Sequence, residues 1–167
     1  MVTTRWLSGQ EHRTWVWGLT AVQLVQSELD RRVQREAGMP LAYYMLLAGL
    51  SEAPDRTMRM GDLAAFSNAS QSRMSHAVRR MEEAGWVRRE RHGTDRRVVL
   101  AVLTDEGFGV LANAAPGHVS AVRELIFDRL HDPDLRALQR VSERLVEGVD
   151  PSGAARALLA ERTVPPA

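Results

Sequence analysis

The residues with the most chemistry to offer are arginines. Between Arg73 and Arg97 eight of them stand against four acids, Glu82, Glu83, Glu90 and Asp95, a local surplus of four positive charges in a chain whose net charge is only +1. A guanidinium presents a planar fork of donors that matches a phosphate or the O6/N7 edge of guanine. A basic island on a slightly acidic body is the footprint of focused phosphate contact. Two groups make up the island. The first is Ser70, Gln71, Ser72, Arg73, Ser75, His76, Arg79 and Arg80, and the second is Arg89, Arg91, His92, Gly93, Arg96 and Arg97. Asp95 inside the second group is assigned to bracing, because a bare carboxylate beside phosphate is repelled.

Other chemistry is poorly served. The chain has no Cys, which removes disulfides, thiolate zinc sites and thiol redox sensing together. His12, His76, His92, His118 and His131 show no close metal-ligand spacing. No Gly-rich phosphate loop or Ser nucleophile in a strand-turn-helix context is present, so an enzyme is the weaker reading and no catalytic residue, cofactor or metal is assigned. All 22 basic residues are Arg. A GC-rich coding sequence explains that as well as selection for bidentate contacts, and no function is drawn from it.

The two groups need elements to present them. Leu63, Ala64 and Phe66 form a short helix that stops at Ser67-Asn68. A second helix, with Ser70 as N-cap, then carries Met74, Ala77, Val78 and Met81 on one face. At about 100° per residue that places Ser72, His76 and Arg79 opposite, flanked by Arg73, Ser75 and Arg80. This polar, basic face suits a major groove; the competing reading is a solvated surface. The residues beyond the helix favour the groove. After Gly85 two β-type runs, Trp86–Arg91 and Arg96–Leu103, are joined by His92-Gly93-Thr94-Asp95. A helix-turn-helix followed by a basic hairpin is a winged helix. In a strand Arg89 and Arg91 share a face, while Arg96 and Arg97 point to opposite sides, one toward DNA and one toward an acid.

The flanks are helical. Ser8-Gly9-Gln10-Glu11 has capping-box spacing, and Trp15, Leu19, Val22, Gln26, Leu29 and Val33 then recur in a heptad-like stripe up to Ala37, before Gly38. A helix of about thirty residues spans about 45 Å, more than so small a domain covers alone, so the stripe is expected to pack against a second chain. Trp17 lies about 200° round from Trp15, which leaves one of the two to face a cleft. Pro40 opens a second helix running to about Leu50, with Leu41, Tyr44, Leu47 and Ala48 on one side; Ser51–Arg56 is a loop, and Thr57–Arg59 could add an edge strand. Thr104 caps a helix whose stripe from Phe108 to Leu130 is expected to kink at Pro116-Gly117. Asp132 caps a last helix ending at Gly148. The fold class is therefore mainly α with a small β-wing. The organisation expected is an N-terminal dimerisation helix over 1–37, a winged helix-turn-helix over 38–103 with its wing at about 86–103, C-terminal dimerisation helices over 104–148, and a flexible tail over 149–167. With no membrane-length apolar run and no leader, a cytoplasmic location is expected.

Taken together, Leu63-Ala64, Arg73 to Glu83 leading into Gly85-Trp86-Val87-Arg88-Arg89, Asp95-Arg96-Arg97 and Leu103-Thr104-Asp105-Glu106-Gly107 resemble a MarR-type transcriptional regulator. The likeness covers roughly residues 5–148. It implies a homodimer whose terminal helices interlock and whose two lobes read a pseudo-palindromic operator in double-stranded DNA, usually as a repressor. It also implies release by a small aromatic or phenolic acid bound between the dimerisation helices and the lobe. Trp15, Trp17, Tyr43, Tyr44, Arg59 and His118 are the residues that layout could bring near such a cleft, a core role being the alternative for each aromatic. A ligand-independent regulator, or a winged helix used only for protein contacts, stays open at this point.

Overall fold

In the computed structural model, which describes residues 3–150, helices and strands run in the order α1 (Gly9–Ala37), α2 (Leu41–Glu52), β1 (Thr57–Arg59), α3 (Met60–Phe66), α4 (Gln71–Glu83), β2 (Val87–Arg91), β3 (Val99–Leu103), α5 (Asp105–Leu125) and α6 (Asp132–Val149). Single 3-10 turns occupy Pro54–Arg56 and Phe127–Arg129. The boundaries have local causes. Ser8 Oγ accepts from the Glu11 amide at 3.2 Å while Glu11 Oε2 accepts from the Ser8 amide at 2.7 Å, the reciprocal cap expected of that spacing. Gly38 ends α1 in the left-handed conformation. Thr104 accepts from the Gly107 amide at 3.0 Å and starts α5.

The three strands form one antiparallel sheet in the order β1-β3-β2, with Arg59, Leu100 and Glu90 in one cross-strand row and Met58, Ala101 and Arg89 in the next. The edge strand expected at Thr57–Arg59 is there. The core lies where α2, α3, α4 and the sheet meet: Met39, Leu47, Leu50, Leu63, Met74, Val78, Met81, Val87 and Ala101 are buried in one cluster. Met74, Val78 and Met81 are the buried residues of α4, so the face opposite them is the one turned to solvent. Their three- and four-residue spacing is the cause.

Two ties hold the long helices, one to each other and one to this lobe. The Arg32 guanidinium donates to both carboxylate oxygens of Glu124 (2.7 and 3.0 Å) and to Glu28 at 2.9 Å, linking α1 to α5. Asp30 Oδ1 accepts from the Leu41 amide at 2.8 Å, so a side chain of α1 caps the first turn of α2.

Several expectations need correcting. The heptad-like stripe of α1 divides: Leu29 and Val33 are buried within their own chain, while Trp15, Leu19 and Val22 are exposed. The helix is longer than the lobe, so only its C-terminal half finds apolar partners there. Pro40 is the N-cap of α2 rather than a first-turn residue, and the helix runs to Glu52. Arg96 and Arg97 do not lie in a strand. Asp95 takes the Arg97 amide on its side chain and the Val98 amide on its carbonyl, both at 3.0 Å, and this local turn delays the ladder until Val99. Helix α5 runs through Pro116 as one element, as expected, but ends at Leu125 and does not reach Leu130. His131, not Asp132, is the N-cap of α6; its amide donates to Asp134 Oδ2 at 3.2 Å, and Asp132 falls in the first turn, where the helix dipole favours an acid. Most of the tail expected over 149–167 lies outside the described residues.

Candidate nucleic-acid interface

The site is built from the turn between α3 and α4 upward. Ser67 caps α3, and Asn68 takes a positive φ of 50°, a conformation Asn tolerates. The Ala69 amide closes the turn onto the Ala64 carbonyl at 2.9 Å. Ser70 Oγ then accepts from the Arg73 amide at 3.3 Å, so the N-terminal turn of α4 is capped where its side chains project outward. Ser70, Gln71, Ser72, Arg73, Ser75, His76, Arg79 and Arg80 are all exposed. The sequence-derived group is one continuous polar surface.

Gly85 makes the join to the wing. With φ at +79° it ends α4 in the left-handed region, and its carbonyl accepts from the Thr104 hydroxyl at 2.7 Å. Gly107 is required for a different reason: a Cβ there would stand 2.1 Å from the Trp86 carbonyl oxygen. Trp86, Thr104 and the first turn of α5 are thereby packed together, which sets the base of the hairpin.

The charges of the site are unevenly committed. Arg89 donates from Nε to Glu82 Oε2 at 2.8 Å and from its backbone amide to Oε1 at 3.1 Å; this guanidinium holds the Glu82 carboxyl below the usual carboxylate range. Arg88 pairs with Glu90 at 2.7 Å. Arg79 and Arg80 share Glu83 at 3.9 and 3.6 Å, and Arg79 also contacts His76 Nδ1 at 3.0 Å. Among the described residues, Arg73, Arg91, Arg96 and Arg97 have no ion pair, and all four are exposed. Four arginines, one on α4 and three on the wing, thus stand without an acid, and Arg79 and Arg80 have only one acid between them. Arg91 and Arg89 share a face of β2, as alternation requires, and Arg89's bond to Glu82 shows that this face turns toward α4. His92 is half-buried where β2 leads into the wing loop, Gly93 is exposed, and Asp95 braces the loop through backbone amides rather than through a guanidinium.

Of the six residues expected to line a cleft, Tyr44 and His118 come together. Trp15 and Trp17 are exposed on α1, the latter at 75%, so neither faces a cleft within the chain. Tyr44 is buried against His118, with ring centroids 4.3 Å apart. Burial pushes the His118 imidazole down and, with Glu52 adding to it, the Tyr44 phenol up. Tyr43 is half-buried against the core, and Arg59 is exposed at a cavity beside β1 that also involves Glu52, Asp62, Glu90 and His92. A larger cavity of about 840 Å³ opens elsewhere, between α1, α2, α3 and α4. Leu41, Met45, Leu46, Phe66, Met74 and Ala77 give it apolar walls, and Asp30 and Arg73 give it charge. Sequence periodicity could not find it, because its residues come from four elements and several also belong to the core.

A helix-turn-helix whose outward face and basic hairpin lie side by side defines a winged-helix transcription factor. Comparison with known proteins makes the class specific. A model described as MarR family matches residues 37–98. The crystal structure of Sco3205, a MarR family transcriptional regulator from Streptomyces coelicolor in complex with DNA, is similar at 46% identity and a TM-score of 0.87, over 90% of this chain and 94% of that one. The HTH-type transcriptional regulator PecS of Dickeya dadantii (strain 3937) is 38% identical over 78 residues, 45% of this chain; the match spans about half of PecS, 47%. The HTH-type transcriptional repressor YetL of Bacillus subtilis (strain 168) is 30% identical over 111 residues, 65% of this chain and 66% of YetL. The chain belongs to the MarR family. That is a family of transcriptional regulators and not of enzymes.

Proposed function

We propose that the protein is a homodimeric regulator that binds double-stranded DNA at a pseudo-palindromic operator, acts as a repressor and is released by a small aromatic or phenolic ligand. One observation carries the DNA-binding part: Arg73, Arg91, Arg96 and Arg97 are exposed without an acid to neutralise them, beside a capped helix with a polar face. Unpaired cations gathered on two adjacent elements cost self-repulsion, which phosphates relieve. Similarity to a regulator solved with DNA supports the same reading, and similarity to a named repressor supports the direction of control. On this reading α4 enters the major groove, Arg73 and the serines around it reach base edges or phosphates, and Arg96 and Arg97 hold the flanking backbone or minor groove. Ser70, Gln71, Ser72, Ser75, His76, Arg79 and Arg80 complete the helix surface.

The dimer is supported by apolar surface that one chain leaves uncovered. Trp15, Leu19 and Val22 on α1, and Leu138, Val141 and Leu145 on α6, are exposed at helical spacing, and α6 has no buried residue. Patches of that extent mark interfaces. The cavity of about 840 Å³ supports an effector, since ligand sites typically run from about 300 to 1,000 Å³. Arg73 at its edge belongs to the DNA-facing group, so a bound carboxylate would compete with DNA for that guanidinium.

Selection of fragments bound from the source genome, then titration of the recovered duplex across salt, tests the reading. Affinity should fall steeply as salt rises and should exceed that for random duplex; flat, weak binding to both would leave a winged helix used for protein contacts. Aromatic acids added to the preformed complex should release it, and Ala42→Phe at the cavity wall should prevent release without weakening DNA binding. Failure of every acid would mark a ligand-independent regulator.

A further inference from the structure

We propose that Glu82 sets specificity by locking the recognition helix to the wing and by keeping the charge of Arg89 off the DNA backbone; this rests on the DNA-binding reading above. Glu82 stands in the last turn of α4, and Arg89 is the middle residue of β2, beyond the left-handed join at Gly85. A single carboxylate holds both the main chain and the side chain of Arg89, with Nε, Nη2 and the backbone amide all donating to it. Of the eight arginines in the island, only this one is bound to its acid through backbone and side chain together.

The sheet order explains why the bond exists. β2 has β3 on one side only, so the amide at Arg89 that donates to Glu82 belongs to its open edge. An open edge amide otherwise seeks water or another strand. Glu82 satisfies it and at the same time fixes the angle between α4 and the hairpin, and therefore the separation of Arg73 from Arg96 and Arg97. A charge-neutralised guanidinium makes a poor phosphate contact. Arg89 is exposed and lies on the α4-facing side of the wing, so without Glu82 it would add sequence-independent attraction.

The consequence is measurable because each phosphate contact contributes about 0.9 to the slope of log affinity against log salt. Full-length wild type, Glu82→Gln, Arg89→Gln and the double variant are titrated against random duplex and against duplex selected by the wild type, between about 50 and 200 mM salt. The proposal expects Glu82→Gln to steepen the random-duplex slope by about 0.9, equal to about threefold more affinity change over that range, and to lower the ratio of selected to random affinity. Arg89→Gln alone should leave the slope unchanged, and the double variant should return to it. A reduced slope in Arg89→Gln, or an unchanged slope in a folded Glu82→Gln, overturns the proposal. Should Glu82→Gln lose cooperative melting, the Arg89→Gln slope decides alone. Wild type that lacks salt-dependent duplex binding would instead overturn the DNA-binding reading beneath it.

Discussion

Arg73, Arg96 and Arg97 are chemically alike, yet they are placed differently. Arg73 occupies the first turns of α4 and borders a cavity, whereas Arg96 and Arg97 sit in a loop held by Asp95. Arg96→Ala and Arg97→Ala should each weaken selected and random duplex alike and reduce the salt slope by about one; salt titrations unchanged in both variants would remove the wing from the interface. Arg73→Ala should cost roughly 1–3 kcal/mol on the selected duplex if it reads a base, and an equal loss on random duplex would make it a phosphate clamp. His118, half-buried on α5 against Tyr44 of α2, offers a residue-scale test. Its pKa is lowered by burial beside Tyr44, so the unfolded chain binds the proton more readily than the folded one. Stability from this group is therefore complete above the ordinary histidine value of about 6.5 and lost as pH falls below it. Melting temperatures from pH 7.5 to 5.5 should drop less in His118→Phe than in wild type, and parallel curves would refute a lowered imidazole pKa.

Elements depend on a few positions where a side chain, or the lack of one, decides a boundary. Ser70→Ala removes the cap that starts α4 and should cost about 1 kcal/mol of stability, read in denaturant melts. Two glycines of α5 make an internal comparison. Gly107→Ala would press a Cβ against the Trp86 carbonyl, whereas a Cβ at Gly109 meets nothing within 4 Å. The first substitution should lower the melting temperature strongly; the second, at an open helical position, should raise stability by about 0.5–1 kcal/mol. Equal effects would refute the close packing of α5 on the hairpin base. The helices and strands themselves were largely legible in the chain, because caps and periodicity are local. The ends of β3 and α5 were not. Asp95 bonds to its own turn and shortens the strand, and the stripe of apolar residues continues past Leu125 although the helix does not.

At the scale of the molecule, the long helices present more apolar surface than one chain covers. If α1 and α6 close a dimer, Val141→Glu with Leu145→Glu should give monomer by sedimentation at micromolar concentration and abolish high-affinity binding to a two-half operator, with the lobe's helical content retained. A dimer that survives this pair would move the interface elsewhere. The Arg32–Glu124 and Asp30–Leu41 ties then acquire a role, since the first holds α1 to α5 and the second connects α1 to α2 of the lobe that carries α4.

The chain by itself determined the winged helix and its basic face, since Ser70, Gly85, Thr104 and the spacing of Met74, Val78 and Met81 act within a turn or two of where they stand. Which arginines remain free to meet phosphate was decided only in three dimensions. Glu82 and Arg89 are seven residues apart, and no periodicity links them; the left-handed turn at Gly85 folds the strand back along the helix and brings them together. The same holds for the candidate effector cavity, whose walls come from α1, α2, α3 and α4 and exist only once those helices have packed.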